Sequence, residues 1–374
     1  MNLPFHRPYI GPEEEAAVLR VLRSGWLTNG PETVAFEREF AAYLGMDEAL
    51  GVSSCTAGLE LIFATLDLPC GSEVITSPLT FAATVHVLVH HGLQPVLADI
   101  DPRTGGLDPQ AVARRLSPQT AAVVVVHYAG HLAVNAELLE FCSAKGLILI
   151  EDCAHAIETR DASGQAAGTF GHAAAFSFYP NKNMTAAEGG MVVARDPALR
   201  ERMRLLRTQG IRWPDTDGGA GFRPYNVLEA GYKLNLTDVQ AAIGRVQLGR
   251  IDGWLPRRKA IADRYRTCLA RLGGRLVEPP PGTRSAWHLA VAVLSPPDRP
   301  ATEACMERIQ RRGVRLSWHY RPIHWLTAYR SLPGNDDLPA CNELASRCFS
   351  LPLYPTLSDE EVGFVCKVLE EELA

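Results

Sequence analysis

The sequence predicts an α/β protein, with a mostly parallel sheet flanked by helices in a large N-terminal domain and a smaller α+β domain after it. Three observations carry this. Between about residues 50 and 195, short β-rich runs alternate with helix-like stretches, the pattern of strands joined by crossover helices. Val123-Val124-Val125-Val126 is apolar at every position, as a strand covered on both faces must be. Past Leu272 the chain is punctuated by Gly273-Gly274 and Pro279-Pro280-Pro281, and shorter elements follow.

Taken in order, strands are expected at Glu73 to Ile75, Gln94 to Ala98, Ala121 to Val126, Leu147 to Ile150, Ala173 to Phe178 and Gly190 to Ala194. Helices are expected at Thr56 to Leu66, Phe81 to His91, Pro109 to Arg115 and Asn135 to Lys145. Pro197 to Gln209 is charged and helical in pattern, and Asp215 to Gly221 reads as a mobile loop. One long helical region runs from Thr237 past Leu248 to about Leu272. A domain boundary falls between residues 240 and 255, giving 1–245 and 246–374, with the first 30 or so residues free to join either part.

Length and composition set limits. A chain of 374 residues suits about two domains. Its net charge of -5 gives no reason to expect nucleic acid or an acidic membrane as a partner. No apolar run reaches the roughly 18 residues of a membrane span. Met1 to Gly11 lacks the basic start and apolar stretch of a secretory signal. The nine cysteines are scattered, without a Cys-x-x-Cys pair, which fits reduced thiols in a cytoplasmic protein. No histidine, cysteine or acid pattern has metal-site spacing, and no Gly-x-Gly-x-x-Gly or P-loop is present, so no metal and no dinucleotide chemistry is expected.

The chemistry concentrates around Lys182. It lies in Phe176-Ser177-Phe178-Tyr179-Pro180-Asn181-Lys182-Asn183, with Gly189-Gly190 close behind. An apolar run ending in Glu151-Asp152-Cys153-Ala154-His155 precedes it. A close-packed lysine between strands, with an acid at the tip of the preceding strand, suits pyridoxal phosphate: the amine condenses with the aldehyde and the acid pairs with the pyridine nitrogen. Each residue has a plainer reading as well. Lys182 can be a surface lysine, Asp152 a helix cap, His155 a core histidine. Functionally, His155 lies against the ring or bonds its phenolic oxygen. Ser53-Ser54-Cys55-Thr56-Ala57-Gly58 opens a helix, where free N–H groups favour a phosphate; an ordinary N-cap is the alternative. Ser177 can add a hydroxyl to the same phosphate. Phe81 can stack on a flat ring or be a core residue. His319-Tyr320-Arg321-Pro322-Ile323-His324 suits a phosphorylated or hydroxyl-rich ligand, or an ordinary surface.

These segments resemble the DegT/DnrJ/EryC1/StrS sugar aminotransferase family of the aspartate aminotransferase superfamily (fold type I), over nearly the whole length. Further motifs carry the likeness: Ser24-Gly25-Trp26-Leu27-Thr28-Asn29-Gly30-Pro31, Asp99-Ile100-Asp101-Pro102, His127-Tyr128-Ala129-Gly130-His131, and Gly231-Tyr232-Lys233-Leu234-Asn235-Leu236-Thr237-Asp238-Val239-Gln240-Ala241-Ala242. The resemblance implies that Lys182 holds pyridoxal 5'-phosphate and shuttles protons, that Asp152 binds the pyridine nitrogen, and that His155 and Phe81 support the ring. It implies that Cys55 (by its amide), Thr56 and Ser177 hold the phosphate, with Asn235 supplied by the other subunit of a homodimer. Trp26, His319 and His324 fall near the sugar pocket by the same likeness. Cys55 stands where many relatives have glycine, Gln209 where histidine is commoner, and Leu132-Ala133-Val134-Asn135 lacks the usual acid before its helix. Relatives that eliminate water from sugars carry histidine in place of Lys182. Histidine at position 155 goes with amination at sugar C4 in this family. The implied reaction moves an amino group from L-glutamate to a UDP- or dTDP-4-keto-6-deoxyhexose. Amination at C3, a cyclitol or aminobenzoate precursor, and a non-catalytic regulator on the same fold are the alternatives.

Overall fold

The structure, a computed structural model, describes residues 1–213, 224–295 and 298–373. The expected loop at Asp215 to Gly221 lies outside them. The helices are α1 (Pro12–Ser24), α2 (Pro31–Leu44), α3 (Cys55–Thr65), α4 (Ala83–His90), α5 (Pro109–Arg114), α6 (Ala136–Lys145), α7 (Pro197–Arg207), α8 (Asp238–Leu248), α9 (Ile251–Arg271), α10 (Arg299–Arg311), α11 (Pro339–Arg347) and α12 (Asp359–Leu373). The strands are β1 (Leu50–Val52), β2 (Glu73–Thr76), β3 (Gln94–Leu97), β4 (Thr120–Val126), β5 (Ile148–Asp152), β6 (Ala173–Ser177), β7 (Gly190–Ala194), β8 (Ile211–Arg212), β9 (Asn226–Val227), β10 (Arg275–Leu276), β11 (Ala290–Val293) and β12 (Cys348–Leu351).

Seven strands form one sheet in the order β1-β7-β6-β5-β4-β2-β3. The pairs from β3 through β6 are parallel, while β7 and β1 close one edge antiparallel. Val124 packs toward α3 and α4, and Val123 and Val125 toward α5 and α6, so β4 is covered on both faces as its apolar run requires. The C-terminal ends of β1, β2, β4, β5 and β6 and the start of β7 meet at one edge of the sheet, the place where open α/β sheets bind ligands.

The second sheet, β10-β11-β12, is antiparallel and shares a core with α9, α10 and α12. The N-terminal segment contributes to both regions. Leu3 is buried in that second core and bridges to Val314, whereas Ala17 and Val21 of α1 pack on Ala242 of α8. The expected single helix from Thr237 to Leu272 is two. α8 stops at Leu248, with Gly249 as its C-cap, and Arg250 is held by an ion pair to Glu14 of α1. The helix expected from Phe81 starts at Ala83, which leaves Phe81 outside it. At α6 the missing acid is replaced by Asn135, whose side chain accepts from Leu138 N and caps the helix.

Candidate active site

Asp152 ends β5 with only 6 % of its surface exposed. Its Oδ2 accepts a 2.8 Å hydrogen bond from Thr84 Oγ1, and its Oδ1 accepts from Ala154 N at 3.1 Å. Thr80 and Thr84 are joined through their hydroxyls at 2.8 Å. No α-helix follows β5 directly, so Asp152 is not the helix cap that its position allowed. Its carboxylate is fixed in place and accepts hydrogen bonds while facing the site.

Lys182 lies between β6 and β7, with its N–H bonded to Tyr179 O at 2.9 Å. The loop is closed by Phe178 N to Gly189 O and Ala186 N to Phe178 O, both 2.9 Å. Burial lowers the amine from its usual range to about 8, while the Asp152 carboxylate pulls the other way. This amine is largely deprotonated at mildly alkaline pH, a state that suits a nucleophile or a proton carrier. The Cys55 thiol is driven well up by burial and by Asp152, whose Oδ1 lies 3.8 Å from its sulfur, so it stays protonated.

The start of α3 adjoins this pair. Ser54 caps α3, its hydroxyl accepting from Ala57 N at 3.0 Å. The first-turn N–H groups of Cys55 and Thr56 have no partner within the helix, and Thr56 is exposed. The N-cap and phosphate readings are thus compatible. Ser177 pairs with Gly190 across the β6–β7 ladder. A Cβ at Gly190 would sit 2.7 Å from Cys55 N, so only glycine lets the strand lie against the helix start.

Four histidines surround the lysine. His155 is buried, its Nε2 2.9 Å from the Tyr320 hydroxyl and its Nδ1 without a partner. Burial, reinforced by the Lys182 charge, drives His155 well below 6.5. His288 lies with its ring centre 4.2 Å from that of His155 and is lowered in the same way by burial. His319 is pushed to about 3 and His6 to about 4, burial being the main cause in each. His319 Nδ1 lies 2.9 Å from Ser350 Oγ. All four rings are therefore neutral at working pH. Phe81 is 61 % exposed, with its ring centre 6.0 Å from that of Tyr320, so it is no core residue. It offers a bare aromatic face at the rim.

The structure thus gathers Lys182, Asp152, Cys55, Thr56, Ser177, His155, Phe81 and His319. Three expected residues have other partners within this chain. Trp26 is 58 % exposed, with its ring over Gly30. Asn235 turns its side chain to Thr28 Oγ1, 3.1 Å away, and to Lys233. His324 bonds Asn342 through Nε2 at 2.8 Å. Thr84, Asn183, His288 and His6 had no role in the sequence reading, and Tyr320 was only a member of a polar cluster. Thr84 left a signal: it is a hydroxyl one helical turn from Thr80, in the otherwise apolar stretch Ala82-Ala83-Val85. The others left none.

One buried group is structural. Glu151 accepts from Gly168 N, Phe170 N and Gly171 N at 2.6–2.8 Å and faces His127 Nε2 at 2.9 Å. His127 Nδ1 accepts from Ala133 N at 3.0 Å, so its proton sits on Nε2 and no ring lone pair is left for a cation. Cys153 completes the group without offering a thiolate, because burial raises it far above its usual range.

Residues 8–370 match the model of the DegT/DnrJ/EryC1/StrS aminotransferase family. The chain is 37 % identical over 378 residues to spore coat polysaccharide biosynthesis protein SpsC of Bacillus subtilis (strain 168), covering 99 % of this chain and 96 % of that protein. It is similar to the aminotransferase TlmJ of Streptoalloteichus hindustanus, with a TM-score of 0.92 and 34 % identity over 99 % of this chain and 98 % of that one. It is also similar to the sugar aminotransferase Spr1654 of Streptococcus pneumoniae in its PMP form, with a TM-score of 0.93 and 28 % identity over 100 % of this chain and 99 % of that one. The PLP form of the same protein gives a TM-score of 0.91 and 28 % identity, covering both chains completely.

Proposed function

The chain belongs to the DegT/DnrJ/EryC1/StrS aminotransferase family, pyridoxal-phosphate-dependent transaminases of sugars, and on that premise we propose that it moves an amino group from L-glutamate to C4 of a UDP- or dTDP-linked 4-keto-6-deoxyhexose. The observation that carries this is the buried Lys182 amine, lowered to about 8, beside the hydrogen-bonded carboxylate of Asp152. His155 at its position supports C4 over C3. We further propose that the enzyme works as a homodimer in the cytoplasm. The exposed side chains of Leu19, Leu22, Trp26, Leu27, Tyr225 and Leu228 support a second copy as the cover. Among the described residues no helix is long and apolar enough to cross a membrane.

The residues present fit the cofactor. A fixed carboxylate, a depressed amine, free helix N–H groups, an exposed aromatic ring and the unpartnered Nδ1 of His155 match a flat, phosphorylated, aldehyde-bearing ring. Pyridoxal phosphate, when bound, supplies the electron sink that steadies a carbon after it loses its proton. In this reading Asp152 would pair with the pyridine nitrogen, and Thr84 fixes the direction of its side chain. The N–H groups of Cys55 and Thr56 and the hydroxyl of Ser177 bind the phosphate, and Asn235 of a second copy completes it. Phe81 and His155 would support the ring. Lys182 Nζ takes the proton from the donor's α-carbon and returns one to the sugar carbon in the second half of the cycle. Trp26, His319 and His324 would serve the sugar, His324 with Nδ1 unpartnered while Asn342 holds its other nitrogen.

Borohydride reduction of the cofactor-loaded protein followed by peptide mapping tests the site. The adduct is expected on Lys182, and Lys182→Ala is expected to keep the fold and lose turnover. A reduced adduct elsewhere would overturn the reading. Incubation with UDP- and dTDP-4-keto-6-deoxy sugars, a 3-keto sugar and a keto-inositol, with NMR of the product, tests the substrate. Amination of only the last two would remove the C4 assignment and keep the transaminase.

A further inference from the structure

Asn183 follows Lys182 and is held from three sides. Its Nδ2 donates to Glu158 Oε2 at 2.9 Å and to Ala286 O at 2.8 Å. Both acceptors are themselves anchored. Glu158 forms a fully buried ion pair with Arg258 of α9, and Arg258 Nε donates to the same Ala286 carbonyl at 3.2 Å. With its amide hydrogens engaged by two acceptors, Asn183 cannot turn over. Its Oδ1 is therefore the atom facing His288 Nδ1 at 3.1 Å. An oxygen acceptor there requires that ring nitrogen to carry the proton. His288 Nε2 is then a bare lone pair, buried and without a partner among the described residues. On the far side of His288 stands His155, fixed in turn by Tyr320. The connected set Arg258–Glu158–Asn183–His288–His155–Tyr320 draws on five separate stretches of chain and surrounds one lysine.

We propose that Asn183 and His288 are positioning residues of the Lys182 site: Asn183 holds the main chain beside the lysine and locks His288 in the tautomer protonated at Nδ1, and the locked neutral ring backs His155. The consequence for catalysis rests on the reading of Lys182 as the reactive amine. The Glu158–Arg258 pair anchors Asn183 from behind. A His288 ring freed from Asn183 would sample the other tautomer, turn an N–H into the site and loosen the stack against His155.

Histidine-selective nitrogen-15 NMR of the full-length protein, with and without pyridoxal phosphate, reads the tautomer directly, and the His288→Gln spectrum assigns the signal. A protonated Nδ1 and a bare Nε2 are expected in both states. Kinetics reads the positioning. His288→Asn places an amide donor near the Nδ1 position, whereas His288→Gln moves it toward the Nε2 position. Small misplacements of a reacting group cost large factors in rate, so His288→Gln and Asn183→Ala should lower kcat about tenfold or more with KM within about twofold. Both should also displace the pH midpoint of the bound cofactor's absorbance, and His288→Asn should restore most of the loss. A proton on Nε2, or equal kcat in His288→Asn and His288→Gln, overturns the proposal. If Asn183→Ala fails to fold, the His288 pair still decides. If the borohydride adduct fell on another residue, the catalytic assignment would fail while the NMR result stood.

Discussion

Thr84 Oγ1 donates a 2.8 Å hydrogen bond to Asp152 Oδ2, across 68 residues of sequence. The bond joins the start of α4 to the tip of β5. It holds the carboxylate facing the place where a pyridine nitrogen would lie. A hydrogen bond to a charged group contributes roughly 1.5–3 kcal/mol. Thr84→Val should therefore destabilise the cofactor-free protein by about that amount and also weaken pyridoxal phosphate binding, because Asp152 loses the group that orients it. Fluorescence titration measures this, and an unchanged affinity would show that Asp152 does not depend on Thr84.

Phe81 is 61 % exposed, so its truncation should act on the ligand more than on the fold. Phe81→Ala is expected to leave the melting temperature of the cofactor-free protein nearly unchanged, since exposed substitutions stay within about 0.5 kcal/mol. It should reduce the extra stability that saturating cofactor confers. Paired thermal melts decide it: a large drop without cofactor would mean the ring packs in the fold after all.

The Glu158–Arg258 pair is fully buried, with both side chains at 0–1 % exposure. Removing one member leaves an uncompensated charge, which costs about 3–5 kcal/mol. Arg258→Met alone should therefore destabilise strongly, while Arg258→Met with Glu158→Leu should cost clearly less than the sum of the two single changes. Urea unfolding of the four proteins closes the cycle. Strict additivity would show that the pair is not coupled.

Acid should weaken the fold through its histidines before its carboxylates. His6 and His131 are lowered to about 4 and His319 to about 3 by burial, while His155 and His288 lie well below 6.5. The unfolded chain takes up these protons near pH 6.5, and the folded one takes them up only near 4 or below. In that window the unfolded state binds more protons, so stability falls as pH drops from about 6.5 toward 4 and levels off below, once the folded rings protonate. Urea midpoints at pH 7, 6 and 5 measure the slope. A flat line there would mean these rings titrate in the folded protein as they do in water.

Much of the fold was legible because its signals are local. Strands β2 to β7 were expected within about two residues, since each is an apolar run bounded by turn residues. The site showed as far as residues marked by chemistry in their own segment: Lys182, Asp152, His155 and the Ser54 helix start. The helical region from Thr237 divides at the Gly249 C-cap, where Arg250 meets Glu14 across 236 residues. Periodicity carries no trace of such a contact.

Sequence alone determined which residue types the chemistry has available and the order in which strands and helices present them, because side-chain period and backbone propensity act within a few residues. Only the tertiary structure decided which hydroxyl bonds Asp152, which amide meets His288, why the Lys182 amine falls to about 8, and which groups Asn235 bonds. Those outcomes depend on burial and on hydrogen bonds between segments tens to hundreds of residues apart, and packing brings such groups together only when the whole chain has folded.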